Sequence, residues 1–208
     1  MTDTPDASAS GDQIQIPLFP LGTVLFPGGP LPLRIFEPRY LDMVSDCLRN
    51  DKAFGVCLIK DGREVGEPAQ PFDVGTMAKI VDWDRTDDGL LAITALGTSR
   101  FRILDTTVSP NDLLMGQCEI CEEDATVLPA EHQGLTKLVL DLLGKFPQIY
   151  EQIERDADSA SWIGYRLAEL MPLPMTVKQH LLEIDHSLER LDQIVGILQQ
   201  LQERPDDS

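Results

Sequence analysis

Few residues in this chain have types and spacing that could do chemistry. Cys118 and Cys121 form a single Cys-x-x-Cys, the pattern of a redox pair or of half a zinc site. No second pair follows and no histidine lies near, and within a strand the odd spacing turns the two thiols to opposite faces. The cysteines number four, Cys47, Cys57, Cys118 and Cys121, and a structural role is expected for all of them. His180 and His186 are six positions apart, whereas ligands on one helix face need three or four, and His132 stands alone. The phosphate-cradling GxxxxGK loop is absent, because Gly144-Lys145 is followed by Phe146 rather than Ser or Thr. GxGxxG and HExxH do not occur, and Gly97-Thr98-Ser99 imitates the GxSxG elbow for three residues only. Glu122-Glu123 and Asp87-Asp88 fall in expected turns, as solvated carboxylates; acid and base work would require burial. No catalytic residue, cofactor or metal is therefore expected.

What remains distinctive is a segment suited to recognition, Ile16 to Tyr40, with six prolines among many apolar residues. It cannot be a central strand throughout, yet it is too apolar for a loose linker. Such a chain runs along the edge of a barrel.

The surrounding elements fit that placement. From Ile14 to about Glu123, short apolar runs alternate with Gly, Pro and Asp clusters at intervals of ten or so residues, the texture of β structure. Phe54 to Lys60 precedes Asp61-Gly62, and Gly75 to Trp83 precedes Asp87-Asp88-Gly89, both hairpin signals. Leu90 to Leu96, Arg100 to Leu104 and Leu114 to Cys121 supply further strands, and six or more strands with tight turns imply a barrel or sandwich. One helix interrupts them near Glu37-Pro38, where proline at the first helical position costs no hydrogen bond, with Tyr40, Leu41, Val44 and Leu48 on its inner stripe.

After Asp124 the period changes to about 3.6. Leu135, Leu138, Val139, Leu142 and Leu143 mark one helix, Ile149 and Ile153 a short second, and Trp162, Ile163, Leu167 and Leu170 a third that ends at Pro172 and Pro174. Thr176 to Gln202 reads as a helical hairpin broken at Asp185 to Ser187, where Asp and Ser are expected to cap, with Leu181, Leu182, Leu188, Leu191, Ile194, Val195, Leu198 and Leu201 buried. The expected organisation is a tail over 1–12, a β-rich unit over 13–124, a helical unit over 125–202 and a tail over 203–208.

Lys and Arg total 17 against 35 for Asp and Glu, a formal net charge of -18 that repels nucleic acid and anionic membranes and attracts basic segments. No apolar run reaches the roughly 18 to 20 residues of a membrane span, and the first residues lack the basic start and apolar stretch of a secretory leader. A cytoplasmic location is the expectation.

The run PLFPLGTVLFPGGPLPLRIFEPRY resembles the opening signature of the Lon protease amino-terminal domain family. Val74-Gly75-Thr76 with Ala78-Lys79-Ile80, then Arg100-Phe101-Arg102-Ile103, then Lys178-Gln179 with Leu181-Leu182-Glu183 continue the likeness in order, so that it covers most of the chain. The resemblance implies an α+β fold, a PUA-like β pseudobarrel with one inserted helix, followed by a C-terminal helical bundle. It also implies capture of unfolded or tagged protein substrates. In full-length Lon proteases an AAA+ motor and a Ser-Lys peptidase follow; neither is recognised in these residues, so a non-catalytic module, an adaptor in protein quality control with a protease among its partners, is expected.

Binding of extended peptide segments is expected at Leu33, Phe36, Glu37, Arg39 and Tyr40, with an exposed barrel edge accepting the peptide as an added strand. The competing account makes Arg34, Glu37 and Arg39 structural ion pairs and places Phe36 and Tyr40 in the core. A different class of function would use a cleft between barrel and helices to hold a small ligand or to catalyse a reaction.

Overall fold

In the computed structural model, which describes residues 13–150 and 153–203, the turn signals of the first half fall where strands end. The expected tails thus lie outside the described residues, apart from Glu203, the last residue of a helix. The strands are β1 (Gln13–Leu21), β2 (Pro30–Ile35), β3 (Phe54–Asp61), β4 (Gln70–Pro71), β5 (Val74–Arg85), β6 (Leu91–Val108) and β7 (Leu114–Ile120), and α1 (Pro38–Asn50) separates β2 from β3. Gly89, at φ 83°, closes the β5–β6 hairpin in a conformation cheap only for glycine, and its N–H donates to the Thr86 carbonyl at 2.8 Å. Asp61-Gly62 instead opens a longer loop to the short β4. Leu91 to Val108 is one strand of 18 residues, not two.

Closure of the sheet comes from β1. It pairs antiparallel with β7 and parallel with β3, Leu18 lying opposite Gly55, so the ring β1-β7-β6-β5-β3 returns on itself. β2 joins from outside on the first half of β6. A side chain at Gly97 would overlap the Phe26 carbonyl oxygen; glycine there lets the Pro27-Gly28-Gly29 crossing lie on β6, with Gly28 N–H donating to the Gly97 carbonyl and Gly97 N–H to the Gly29 carbonyl, both at 2.8 Å. Phe19, Phe54, Val56, Ala78, Ile93 and Ala95 form the core beneath α1. That helix covers them with Tyr40, Met43, Val44 and Cys47, while Leu41 and Leu48, expected inside, are 37% and 41% exposed. Met43 and Cys47, four apart, take the inner stripe and rotate the two leucines outward.

A 3-10 turn (Ala130–His132) leads into α2 (Gln133–Leu143), α3 (Pro147–Tyr150), α4 (Ala160–Leu170), α5 (Met175–Glu183) and α6 (Ser187–Glu203). At the centre lies α4, whose Ile163, Leu167 and Ala168 are fully buried against Val139 and Leu143 of α2, Leu181 and Leu182 of α5, and Leu191 and Ile194 of α6. Leu188 and Leu201, expected on the buried stripe of α6, are 37% and 54% exposed, because Leu191 and Ile194 already fill the contact with α4. The whole is a mixed α+β fold, a mostly antiparallel barrel followed by helices.

Three fully buried arginines, Arg100, Arg166 and Arg190, hold together the barrel, the 27–29 crossing and the helices. Arg100 of β6 donates to the carbonyls of Leu182 (3.0 Å) and Ile184 (3.2 Å), to Asp185 (3.1 Å) and to Glu123 (2.5 Å). Arg190 of α6 donates to the Leu181 (2.9 Å) and Ile184 carbonyls and stacks on Tyr165, 4.0 Å from the ring centre. The last carbonyls of α5, which no helical N–H can reach, are thus satisfied by cations, which also suit the negative end of the helix. Arg166 of α4 donates to the Pro27 (2.7 Å) and Gly28 (2.9 Å) carbonyls of the crossing.

Glu123, expected in a solvated turn, is the anionic centre of this joint, receiving hydrogen bonds from Arg100, Ser161 (3.1 Å) and Tyr165 (2.7 Å). Burial raises the Tyr165 phenol far above its ordinary value, so it keeps its proton and donates it. Asp185 pairs with Arg100, so it is Asp124 that caps α6, accepting from the Ser187 N–H at 2.9 Å. Removing Glu123 leaves Arg100 short of a partner and the Tyr165 hydroxyl unpaired. Because the Glu123 side chain keeps 28% of its exposure, Glu123→Ala is expected to lower unfolding stability by about 2 kcal/mol, in the range for a lost charged hydrogen bond. Glu122→Ala should stay within about 0.5 kcal/mol. Urea denaturation of the two variants beside the parent chain measures both.

Candidate functional site

The turn from β2 into α1 sorts neighbouring side chains by depth. Glu37 takes the N-cap position with extended backbone, and its carbonyl accepts from Tyr40 and Leu41, both at 3.0 Å. Its carboxylate, instead of capping, pairs with Arg39 at 2.8 Å. Arg39 is buried; it donates to the Asp112 carbonyl at 3.2 Å in the turn between β6 and β7 and lies 4.8 Å from the centre of the Tyr40 ring. Tyr40 is buried as well, stacked on Phe19 with ring centres 3.9 Å apart, and burial raises its phenol. Arg34 takes no part in that cluster, because it reaches Asp88 of the β5–β6 turn, 2.9 Å away in solvent.

Phe36 alone of the expected residues projects outward, 54% exposed, directly after the buried Ile35. It forms a ridge between two hollows. One, of about 190 Å³, is floored by Phe19, Leu21 and Tyr40 and walled by Leu33, Glu37 and Val65. The other, of about 390 Å³, lies between Leu41, Val44 and Leu48 of α1 and Trp83 and Leu91 of the β5–β6 hairpin. Leu33, Phe36, Glu37 and Tyr40 therefore meet at one hollow, and Arg39 lies beneath as support. Val65, Leu41, Leu48 and Trp83, 56%, 37%, 41% and 59% exposed, extend the apolar surface on both sides.

Trp83 reaches this face through a break in strand alternation. Ile80 lies opposite Ala95 and Trp83 opposite Ile93, so residues three apart share a face, because one extra residue is bulged between Ile80 and Asp82. A period of two would have placed Trp83 on the far side of the sheet. An exposed tryptophan just before the Asp-rich turn was the available signal.

Strand addition beside Phe36 is opposed by β2 itself. Pro30 and Pro32 have no N–H, so Leu31, Leu33 and Ile35 must donate to β6, which turns positions 30, 32 and 34 to the outer edge. Only Arg34 can donate there. The surface around Phe36 is thus suited to side chains more than to a backbone. At the junction of barrel and helices, a cleft of about 480 Å³ is lined chiefly by Pro30, Val81, Leu96, Ile149 and Ile153, with Asp82, Thr94 and Gln148 as its polar groups. Cys118 is buried with its thiol pushed up to about 12 by desolvation, while Cys121 lies beyond the end of β7, so the Cys-x-x-Cys is divided between two environments. Among the described residues no group of three His, Cys, Asp or Glu is placed to hold a metal ion, and no helix is long and apolar enough to cross a membrane.

A closed barrel capped by one helix and followed by a helical bundle is the fold class of Lon amino-terminal domains. The Lon N-terminal domain protein from Xanthomonas campestris is 38% identical and matches 88% of this chain and 98% of its own at a TM-score of 0.74. The N-terminal domain of Mycobacterium avium complex Lon protease, 19% identical, shares the fold at a TM-score of 0.60 over 88% of this chain and 97% of its own. The chain belongs to the family of the ATP-dependent protease La (LON) substrate-binding domain, whose model matches residues 15–200. Lon proteases from Anaeromyxobacter dehalogenans, 23% identical over 90% of the chain, and Dictyoglomus thermophilum, 28% identical over 88%, are similar to it. The chain spans about a quarter of these relatives, 23% and 24% of their lengths.

Burial separates the parts these residues play. Phe36→Ala should change unfolding stability by no more than about 0.5 kcal/mol, whereas Arg39→Ala, which strips a partner from Glu37 and from the Asp112 carbonyl, should cost roughly 2 kcal/mol. Equal losses in thermal or urea unfolding would contradict the assignment of Phe36 to the surface.

Proposed function

We propose that this chain is a non-catalytic substrate-recognition module that holds extended apolar segments of unfolded proteins against the Phe36 surface, as a cytoplasmic adaptor delivering them to a protease. The observation that carries this reading is the row of exposed apolar side chains, Val65, Phe36, Leu41, Leu48 and Trp83, around two open hollows in a family whose domain is described as substrate-binding. Isolated apolar side chains on a surface are ordinary; a continuous set on either side of a projecting aromatic supports the reading of a binding surface. Exposed backbone and apolar side chains distinguish an unfolded segment from a folded protein. The hollows take the side chains, and the acidic field favours clients carrying basic residues.

Phe36 and Trp83 each have more than half their surface left to bury, a contribution of roughly 1 kcal/mol apiece on binding. The double variant Phe36→Ala, Trp83→Ala should therefore weaken binding of a reduced, alkylated and fluorescently labelled unfolded protein by about thirtyfold. Fluorescence anisotropy measures it, with the native form of the same labelled protein as the non-binding control. Affinity unchanged in the double variant would reject the Phe36 surface as the site.

A further inference from the structure

We propose that the first five residues of β1 are a second recognition edge, at which an extended polypeptide segment bearing a Lys or Arg beside apolar residues adds as a strand. The proposal shares with the preceding one only the kind of partner; it lies on the other flank of α1 and does not need the Phe36 surface. From Gln13 to Pro17, β1 pairs with β7, and its pairing with β3 starts only at Leu18. Over that stretch, no strand among the described residues covers the side of β1 away from β7. Proline fixes which groups face that side. Pro17 cannot donate to β7 and Pro20 cannot donate to β3, so the alternation that sends Phe19 and Leu21 toward β3 sends Gln13, Gln15 and Pro17 the same way. Two N–H groups and three carbonyls are thereby presented outward.

This edge opens on a hollow of about 620 Å³ between β1 and the Asp42, Met43, Asp46 and Cys47 side of α1. Met43, Met77 and Met115 line it, three of the six methionines of the chain, and their unbranched thioethers adapt to side chains of different shape. Asp42 and Asp46 stand at its rim with one cation, Lys52, which pairs with Asp46 at 3.1 Å, so a negative charge remains for a basic residue of the partner.

Two other unpaired edges are protected. On β2, Pro30 and Pro32 remove two of the three outward donors and leave only that of Arg34. On β5, beyond Ala78, where pairing with β3 ends, the edge carries Lys79, Asp82, Asp84 and Arg85 together with a bulge, devices that discourage added strands. Gln13 to Pro17 carries no charge and no bulge.

The test uses the full chain and a fluorescent decapeptide of alternating Val and Thr with two Lys, compared with the same peptide N-methylated at alternate amides and with Glu replacing Lys. The parent peptide should bind, and N-methylation, the Glu exchange and Asp42→Lys should each weaken it at least about tenfold. Gln15→Pro, which follows the precedent of Pro17 and spares the β7 side, should do likewise. The Gln13 and Gln15 amides, followed by hydrogen exchange, should slow by at least about tenfold with peptide bound. Phe36→Asp should leave this binding intact, so that a loss there or here identifies which surface failed. Absence of binding, equal binding of the N-methylated peptide, or unchanged exchange at Gln13 and Gln15 would overturn the proposal.

Discussion

Burial of the Arg100 guanidinium in the joint between barrel and helices is the constraint on which the rest of the structure depends. Moving a guanidinium out of water costs several kcal/mol, and the cost is offset here through Nε and Nη1, while the buried Nη2 has no partner among the described residues. Glu123, Asp185 and two carbonyls at the end of α5 are therefore fixed in position relative to β6. Since α5 packs on α4 and α6 packs on α4, the whole helical part is registered on one strand of the barrel. Arg166 repeats the device at the 27–29 crossing, and Gln179 donates from α5 to the Val74 carbonyl at 2.9 Å. Polar contacts of this kind are directional, so they select one arrangement of two bodies that apolar packing alone would leave free to slide.

That registration matters at the surface because the crossing leads straight into the segment that carries Phe36. With Pro27 and Gly28 held by Arg166, and Gly29 held by Gly97, β2 enters at one height on β6. Ile35 then fills the barrel and Phe36 cannot, since consecutive residues of an extended chain point to opposite sides. Pro38 starts α1 at once, and Arg39 and Tyr40 anchor its first turn to the barrel. The aromatic ridge is thus exposed by its neighbours' burial, and the backbone that carries it is held on both sides, by Ile35 in the barrel and by the first turn of α1.

Periodicity made the strands, the inserted helix and the helical half legible, and the likeness to the Lon domain family was carried by residues whose work could not be seen in one dimension. Arg100, Lys178 and Gln179 stood in the sequence as parts of a signature; in three dimensions Arg100 and Gln179 bind carbonyls across the joint, and Lys178 donates to the Glu169 carbonyl at the end of α4. Glu123 looked like one of two solvated acids because its partners are 23 and 42 positions away. Among the candidate site residues, type indicated that Phe36, Glu37, Arg39 and Tyr40 would be near one another, but depth was decided by contacts with Phe19 and Asp112. Trp83 was hidden by a bulge, which a pattern of period two cannot register.

An exposed apolar surface on a free domain invites self-association, and the charge of the chain bears directly on that hazard. Two copies, each with a formal charge of -18, repel before their apolar surfaces meet, although the repulsion is screened beyond about 8 Å at physiological ionic strength. Apolar contact acts over shorter distances than that. The same field places little barrier before a neutral chain and attracts a basic one, so net charge discriminates between a second copy and a neutral or basic polypeptide without any specific contact. Local charge refines this: Glu64 stands beside Phe36, and Asp42 and Asp46 beside the edge of β1. Acidity in this chain therefore bears on association as well as on solubility, because it lets exposed apolar surfaces of two copies stay apart.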